Sequence, residues 1–423
     1  MIGGAAPAAA TAATAGDREA LAILLSVSGL GPLTLARLVE VIGSPSAILE
    51  LTRRPGAAAQ LVSASRALDG SSRAMTSDLA TAIVKAEQDG AAVLREIQRM
   101  ELEVITPTDA AYPRRLKAIE VPPPALFVRG SLASLANEHV VAVVGTRRPT
   151  PGGRRIASRI AAALDRAGAT VVSGLAIGVD GAAHAAVVAE GGATVAYIGG
   201  GHAKLFPRAH DRLADAIVDS GGAVVSEYAP SIEPSRGTFP QRNRLISGSA
   251  DAVIVVEAGA RSGALVTASW ALEQGRECFI VPGAIDAPMS AGCNGFLRDW
   301  PDLARIVSGI PQLLDDLGLS GAAALASGES TDRPGPTGVV ITSRVRPPSA
   351  AAMLSGRTAA ELAIADALIR GAVTVDELVA VTRLSVGAVL GAVTRLEALG
   401  LVLAAHGRYV PAGPLATTDP KAA

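Results

Sequence analysis

Nine residues past the middle of the chain, Arg236-Gly237-Thr238-Phe239-Pro240-Gln241-Arg242-Asn243-Arg244, hold three arginines, one of only five phenylalanines and no acid. Cations that follow a phosphate backbone, beside an aromatic ring on which a base can stack, are what binding of a single nucleic-acid strand requires. A structural reading stands beside it: Phe239 as a core anchor, with Arg242 and Arg244 solvated or paired with Glu227 and Glu257. The nine residues alone do not choose. A second run, Gly145-Thr146-Arg147-Arg148-Pro149, lies between a valine-rich stretch and a helical one. A glycine at such a bend lets a ligand approach the backbone, the helix start offers amides to an anion, and Arg147 adds a planar fork for phosphate.

Other loops carry weaker chemistry. Ser173-Gly174-Leu175-Ala176-Ile177-Gly178-Val179-Asp180 ends in a candidate N-cap, Asp180, with His184 four residues on. That histidine could act as a base, but its spacing favours a local hydrogen-bonded pair with Asp180. Gly199-Gly200-Gly201 is sterically open and says little by itself. The first turn lacks G-x-G-x-x-G, and the second strand ends without the acid that would hold a ribose, so NAD binding is not expected. Two cysteines, Cys278 and Cys293, have neither metal-ligand spacing nor partners for a disulfide framework. No cofactor and no metal are therefore expected.

These loops need a scaffold that places them together. Val140–Val144, Thr170–Ser173, Thr194–Ile198, Ala223–Ser226, Ala252–Val256 and Glu277–Val281 are short and apolar, as strands buried on both faces of a parallel sheet must be. Helical segments such as Gly153–Ala167, Arg208–Ser220 and Ala264–Gln274 lie between them. The alternation predicts an α/β fold, a doubly wound, Rossmann-like, mostly parallel sheet whose ligands sit beyond the strands' carboxyl ends. Before it, Leu21, Leu24, Leu25, Leu35, Leu38 and Val39 have helical spacing around Gly29-Leu30-Gly31-Pro32. We divide the chain into a disordered tail (1–16), a helical domain (17–100), the central domain with its leading segment (101–318), a flexible linker (319–357), a small third unit (358–412) and a tail (413–423).

In that third unit, Leu362, Ala365, Leu368 and Ile369 line one helix. Thr374 and Glu377 have capping-box spacing. Ser385 caps a third helix whose Val386, Val389, Leu390, Val393 and Leu396 form a buried stripe, followed by a two-stranded wing: a winged helix-turn-helix pattern. Its arginines, Arg370, Arg383, Arg395 and Arg408, face Glu361, Asp366, Asp376, Glu377 and Glu397. The third helix exposes Gly387, Ala388, Gly391 and Ala392, with little to reach a base edge. A protein-contact role fits it better than operator reading.

Composition narrows the class. With 38 Lys plus Arg against 39 Asp plus Glu, the formal charge of the 423 residues is −1, so any nucleic-acid surface must be local. Aromatics are only 3 % of the chain, which leaves the core to Ala, Val, Leu and Ile. No stretch approaches the ~18 apolar residues of a membrane span. The start up to Ala15 carries no Lys or Arg, unlike a signal peptide, so a cytoplasmic protein with no membrane partner is expected.

From Val140 to Asp299 the runs VAVVGTRRPT, VVSGLAIGVDGAAH, SEY, FPQRNRLISG, ADAVIVVEAGARSGALVTASWALEQGRE, VPGAID and GCNGFLRD occur in order. This stretch resembles the central domain of the DprA/Smf family of DNA-processing proteins. Tyr112–Leu116 with Pro122–Gly130 is similar to the family's approach to its first strand. The Gly29–Pro32 region is similar to its N-terminal helix-hairpin-helix or SAM-like domain, and the winged unit to its C-terminal one. The resemblance implies a non-enzymatic mediator that protects incoming single-stranded DNA in natural transformation and loads the RecA recombinase onto it, acting as a homodimer. By position it implies a pocket of Gly145, Thr146, Arg147, Ser173 and Gly174, with Phe239 stacking a base, Arg242, Asn243 and Arg244 on phosphates, and Arg236 contributing where relatives can carry lysine. Ile177 stands where relatives often place a basic residue, which should reshape one edge of that pocket. The alternative on a similar fold is a nucleoside-monophosphate phosphoribohydrolase of the LOG type. Those enzymes carry a PGGxGT run with an acidic partner; here Glu257–Gly263 stands in its place.

Overall fold

The computed structural model describes residues 14–66, 75–320, 357–370, 374–398, 401–405 and 408–411. By internal contacts the chain falls into two units, Met1–Thr331 and Asp332–Ala423. The Gly70–Ser72 loop, the run Val339–Ile341 and the tail after 412 lie outside the described residues.

The first unit begins with helices α1 (Ala15–Leu24), α2 (Pro32–Ile42), α3 (Pro45–Thr52), α4 (Ala57–Arg66), α5 (Ser77–Gln88) and α6 (Gly90–Arg99). Their starts follow from local chemistry. Thr14, Ser44 and Thr76 each accept a bond from an amide three residues on, and Pro32 and Pro45 sit in first turns, where a missing N–H costs nothing. Helix α1 therefore reaches back two residues into the expected tail. Leu21, Leu24, Leu35, Leu38, Ile48, Leu61 and Ile83 share one core with Phe127 and Ala229 of the following domain. The helical region is thus packed onto the α/β domain through a common apolar layer.

That domain is a nine-stranded sheet. Its strands are β1 (Glu103–Ile105), β2 (Leu126–Gly130), β3 (Val140–Val144), β4 (Thr170–Ser173), β5 (Thr194–Tyr197), β6 (Ala223–Ser226), β7 (Ala252–Val255), β8 (Glu277–Ile280) and β9 (Ala304–Ile306), in spatial order β1-β2-β6-β5-β4-β3-β7-β8-β9. The pairs β1–β2 and β2–β6 are antiparallel and the rest parallel. The six anticipated strands are all present. Missed were β1 and β9, only three residues each, and β2, hidden behind Pro122–Pro124. Side-chain alternation divides two cores: Val140, Ala142 and Val144 face one layer, Val141 and Val143 the other. The connections include α7 (Arg114–Lys117), α8 (Pro151–Arg166), α9 (Val179–Ala189), α10 (Asp211–Asp219), α11 (Thr238–Gly248), α12 (Gly263–Glu273), α13 (Ala291–Asp299) and α14 (Ile310–Asp316). Because β3 lies between β4 and β7, strand order reverses beside it, which opens a crevice at the carboxyl ends.

The second unit holds α15 (Ala359–Ile369), α16 (Val375–Thr382), α17 (Val386–Ala398), β10 (Val402–Ala405) and β11 (Arg408–Pro411), the strands antiparallel. Both α15 and α16 open with complete capping boxes, Thr358/Glu361 and Thr374/Glu377. Three sequence-based expectations fail here: the buried stripe on α17, the place of Leu362 on the packed face of α15, and the exposure of Ala392. Val386 and Leu390 are exposed (53 % and 42 %), as is Leu362, whereas Ile364, Val389, Ala392, Val393 and Leu396 are buried. The stripe on α17 is rotated toward Ala392, because small residues let helices approach on that side.

No single helix among the described residues is long and apolar enough to cross a membrane.

Candidate nucleic-acid interface

At the carboxyl ends of β3, β4 and β5 lies a cavity of about 300 Å³, lined by Arg147, Arg148, Gly174, Ala176, Ile177, Phe206, Pro207, Phe239 and Arg242. The guanidinium carbon of Arg147 stands 5.0 Å from the Phe239 ring centroid. Phe206 meets the same ring at 5.9 Å and 57°. Phe206 is 50 % exposed and Ile177 47 %, so both present apolar surface at the mouth. Sequence reading singled out neither Arg148 nor Phe206. The available signal was composition: Phe206 is another of the five phenylalanines.

Residues 236–244 prove to be mostly helix. Helix α11 begins at Thr238, and Pro240 falls in its first turn, so the Gly/Pro content that reads as a loop is a helix start. The helix points its arginines inward. Arg242 is buried, and its Nη1 donates to the carbonyls of Gly174 (2.6 Å) and Tyr197. Burial lowers its pKa to about 10, with the Asp180 carboxylate opposing the shift, so it is a cation at neutral pH. It forms the floor of the cavity. Arg244 goes elsewhere: it donates to the Val121 carbonyl (2.8 Å) and to Glu227, in an ion pair buried on both sides. The pairing of Arg244 with Glu227 belongs to the structural reading of this segment, and Arg244 does not line the cavity. Asn243 does not line the cavity: its amide donates to the Gly263 carbonyl (3.1 Å) and its Oδ1 accepts from Arg242 Nε (3.3 Å). Arg236 is exposed on the loop before α11.

The first-strand loop also departs from expectation. A Cβ on Gly145 would stand 2.6 Å from Val179 Cγ2, so this glycine lets β3 and α9 close rather than admitting a ligand. The Thr150, Gly153 and Arg154 amides at the start of α8 are answered from within. Thr150 Oγ1 accepts from Gly153 N (3.0 Å), and the Glu257 carboxylate accepts from Thr150 N (2.8 Å) and Thr150 Oγ1 (2.7 Å). The charged groups that line the cavity and can meet an anion are the guanidinium groups of Arg147, Arg148 and Arg242. Thr146 and Ser173 are buried behind the lining: Thr146 N donates to the Glu257 carbonyl (2.7 Å), and Ser173 Oγ to the Val143 carbonyl (2.6 Å).

Gly174 is wedged between charges. A Cβ there would lie 2.7 Å from Asp180 Oδ2 and 2.8 Å from Arg242 Cζ, while its amide donates to Asp180 Oδ2 at 3.2 Å. Asp180 is thus no N-cap; Gly178 holds that position, at φ +101°. Burial pushes the Asp180 carboxyl up, and Arg242 draws it back. The expected Asp180–His184 pair does not form. His184 Nδ1 lies 2.9 Å from Thr194 Oγ1, whose own proton goes to the Val171 carbonyl (2.6 Å), so the imidazole is the donor. Burial depresses its pKa to about 3, leaving it neutral and away from solvent. The glycines at 199–201 serve packing: a Cβ on Gly199 would stand 2.7 Å from Phe239 Cδ1, and one on Gly201 2.1 Å from the Ala229 carbonyl.

The cavity is therefore cationic and aromatic, and its lining holds no carboxylate, imidazole, hydroxyl or thiol. Comparison with known proteins accords with this chemistry. Residues 103–318 match the model of DNA recombination-mediator protein A, and residues 346–408 that of the DprA winged helix domain. The DNA processing protein DprA of Bacillus subtilis is 39 % identical over 200 residues, covering 47 % of this chain and 67 % of that protein. Protein Smf of Synechocystis sp. is 34 % identical over 323 residues, covering 73 % and 80 %. The X-ray structure of DNA processing protein A from Streptococcus pneumoniae superposes with TM-score 0.56 and 30 % identity, over 70 % of this chain and 97 % of that one. A family model spanning half the chain, relatives at this identity and a shared fold lead to one conclusion: the chain belongs to the DprA/Smf family of DNA processing proteins.

Proposed function

We propose that this protein binds single-stranded DNA in the cavity at the carboxyl ends of β3–β5 and passes the strand to RecA, acting as a cytoplasmic homodimer without chemistry of its own. The observation that carries the reading is Arg147 lying over Phe239 beside an exposed Phe206, in a lining free of acids. Each part has a physical role. Arg147 and Arg148 draw in phosphates, and Arg242 keeps the floor positive. Since Arg147 covers one face of Phe239, the ring open to an incoming base is Phe206, with the Arg147 plane as a second stacking surface. Stacking of this kind contributes about 1–3 kcal/mol per base and tolerates any sequence, as a strand-protecting protein requires.

A second copy would bring a second pocket to the same strand and raise the effective concentration of that contact. Glycosidic hydrolysis of the LOG type finds no support in the lining, because it needs an acid there, and Glu257 is committed to Thr150. The test is fluorescence anisotropy of a labelled poly-thymidine strand against wild type and Arg147→Ala/Phe206→Ala, with duplex as competitor. Preference for the single strand, lost in a variant that melts normally, supports the reading and leads to RecA-loading assays. Binding that ignores both changes rules the pocket out.

A further inference from the structure

The pocket accounts for Arg147 and Arg148, but the same stretch of chain carries more charge than the pocket uses. Residues 145–164 contain five arginines, Arg147, Arg148, Arg154, Arg155 and Arg159, and no acid until Asp165. All five are exposed. Among the described residues none of them is in an ion pair, whereas Arg166 further along the helix meets Glu190 at 3.6 Å. Arg155 and Arg159 lie one helical turn apart, where like charges repel unless a polyanion lies across them. Helical side chains lean toward the N-terminus, which here is the pocket end. Arg155 shows this lean, with Nη2 4.0 Å from where a Gly152 Cβ would stand.

The opposite side of the mouth is different. Between Lys204 and Asp219, the cations Lys204, Arg208 and Arg212 are matched in number by Asp211, Asp215 and Asp219. Lys204 pairs with Glu233 (3.2 Å) and Asp215 with Arg129 (2.5 Å). A strand leaving the pocket along α10 would meet acids; along α8 as far as Leu164 the only charges it meets are arginines.

We infer that the exposed face of α8, through Arg154, Arg155 and Arg159, is a second, sequence-independent phosphate track that carries single-stranded DNA out of the pocket. The inference rests on the pocket reading above and adds the direction in which the strand runs. The track spans about 8 Å of helix from Arg154 to Arg159 at 1.5 Å per residue. It adds charge contacts only to strands long enough to leave the pocket.

The test compares thymidine oligonucleotides of roughly 6 and roughly 20 nucleotides, one within and one beyond the roughly 4–16 nucleotides that single-strand sites occupy. Each is titrated across a salt series with the full chain and with Arg154→Gln/Arg155→Gln/Arg159→Gln. For wild type, the slope of log K against log salt should be steeper on the long strand by about 2, at roughly 0.7 per phosphate contact. In the variant, short-strand affinity should stay at the wild-type value, while long-strand affinity falls about tenfold or more and its slope approaches that of the short strand. The triple lysine replacement, which keeps the charges, should restore both. A glutamine variant that binds the long strand like wild type overturns the track. So does one that loses both strands equally, since the effect would then not depend on strand length. If wild type binds neither strand, the pocket reading itself fails, and the track with it.

Discussion

Two arginine-rich segments border the same crevice and do opposite things. The loop from Gly145 to Thr150 exposes Arg147 and Arg148 to solvent. Helix α11, with the same number of arginines, buries Arg242 and Arg244. The difference lies in which carboxylates the fold brings near. Glu227 pairs with Arg244, and the Gly174 and Tyr197 carbonyls hold Arg242 with the Asp180 carboxylate close by, while the acid at the loop, Glu257, is occupied at the start of α8. Residue type alone therefore does not mark a binding cation; a cation that the fold leaves without a carboxylate does. The winged unit is a third case, because Arg395 and Arg370 are paired with Glu361 and Asp366 and its α17 presents Val386 and Leu390.

The contrast can be broken most forcefully at Arg244. Arg244→Ala leaves Glu227 buried without its cation, and removal of one partner of a buried pair costs about 3–5 kcal/mol. Thermal denaturation should show a large fall in Tm; a variant as stable as wild type would mean that the pair is not structural. Phe206→Ala should act the other way, leaving Tm unchanged and weakening strand binding by about 1–3 kcal/mol, roughly 5- to 150-fold, in anisotropy titrations. Gly174→Ala forces a methyl between Asp180 and Arg242 and should lower stability by about 1–3 kcal/mol while disturbing the cavity floor. Equal effects on melting and binding would show floor and fold to be one structure.

Smaller effects separate the two units by pH. His184 and His202 are buried neutral, their pKa values lowered by burial to about 3 and about 4. The unfolded chain binds protons on these histidines from its usual 6.5 downward, so the first unit should lose stability as pH falls below that value. Glu361 is the reverse case. Its carboxylate is held down to about 2 by the Thr358 amide and by Arg395. Its contribution is complete above the usual 4.5 and disappears as pH falls toward 2. Hydrogen exchange on the full chain should therefore show protection fading in the central sheet at milder acidity than in α15–α17. The opposite order would contradict both assignments.

Much of this was legible before any coordinates. The six central strands announce themselves as short Val/Ile/Ala runs, because a strand covered on both faces has no use for polar side chains. Thr374 and Glu377 identify a capping box because its chemistry is local. The register of α17 was less legible: with Val, Leu and Ala at nearly every position, several stripes are equally apolar, and only contact with α15 and α16 selects one.

At the site, local sequence determined which elements end there and that arginine and phenylalanine are concentrated among them. Tertiary structure decided everything that depends on neighbours. It brought Phe206, from the connection after β5, to within 5.9 Å of Phe239 on α11, a pairing no spacing rule encodes. It turned Gly145, Gly174 and Gly199 into close-contact positions, filled by Val179, by Asp180 with Arg242, and by Phe239. It also sorted the arginines into structural and available ones. The physical reason is that a charge's role depends on its distance from opposite charge and from water, and both distances are set only when strands far apart in sequence lie side by side.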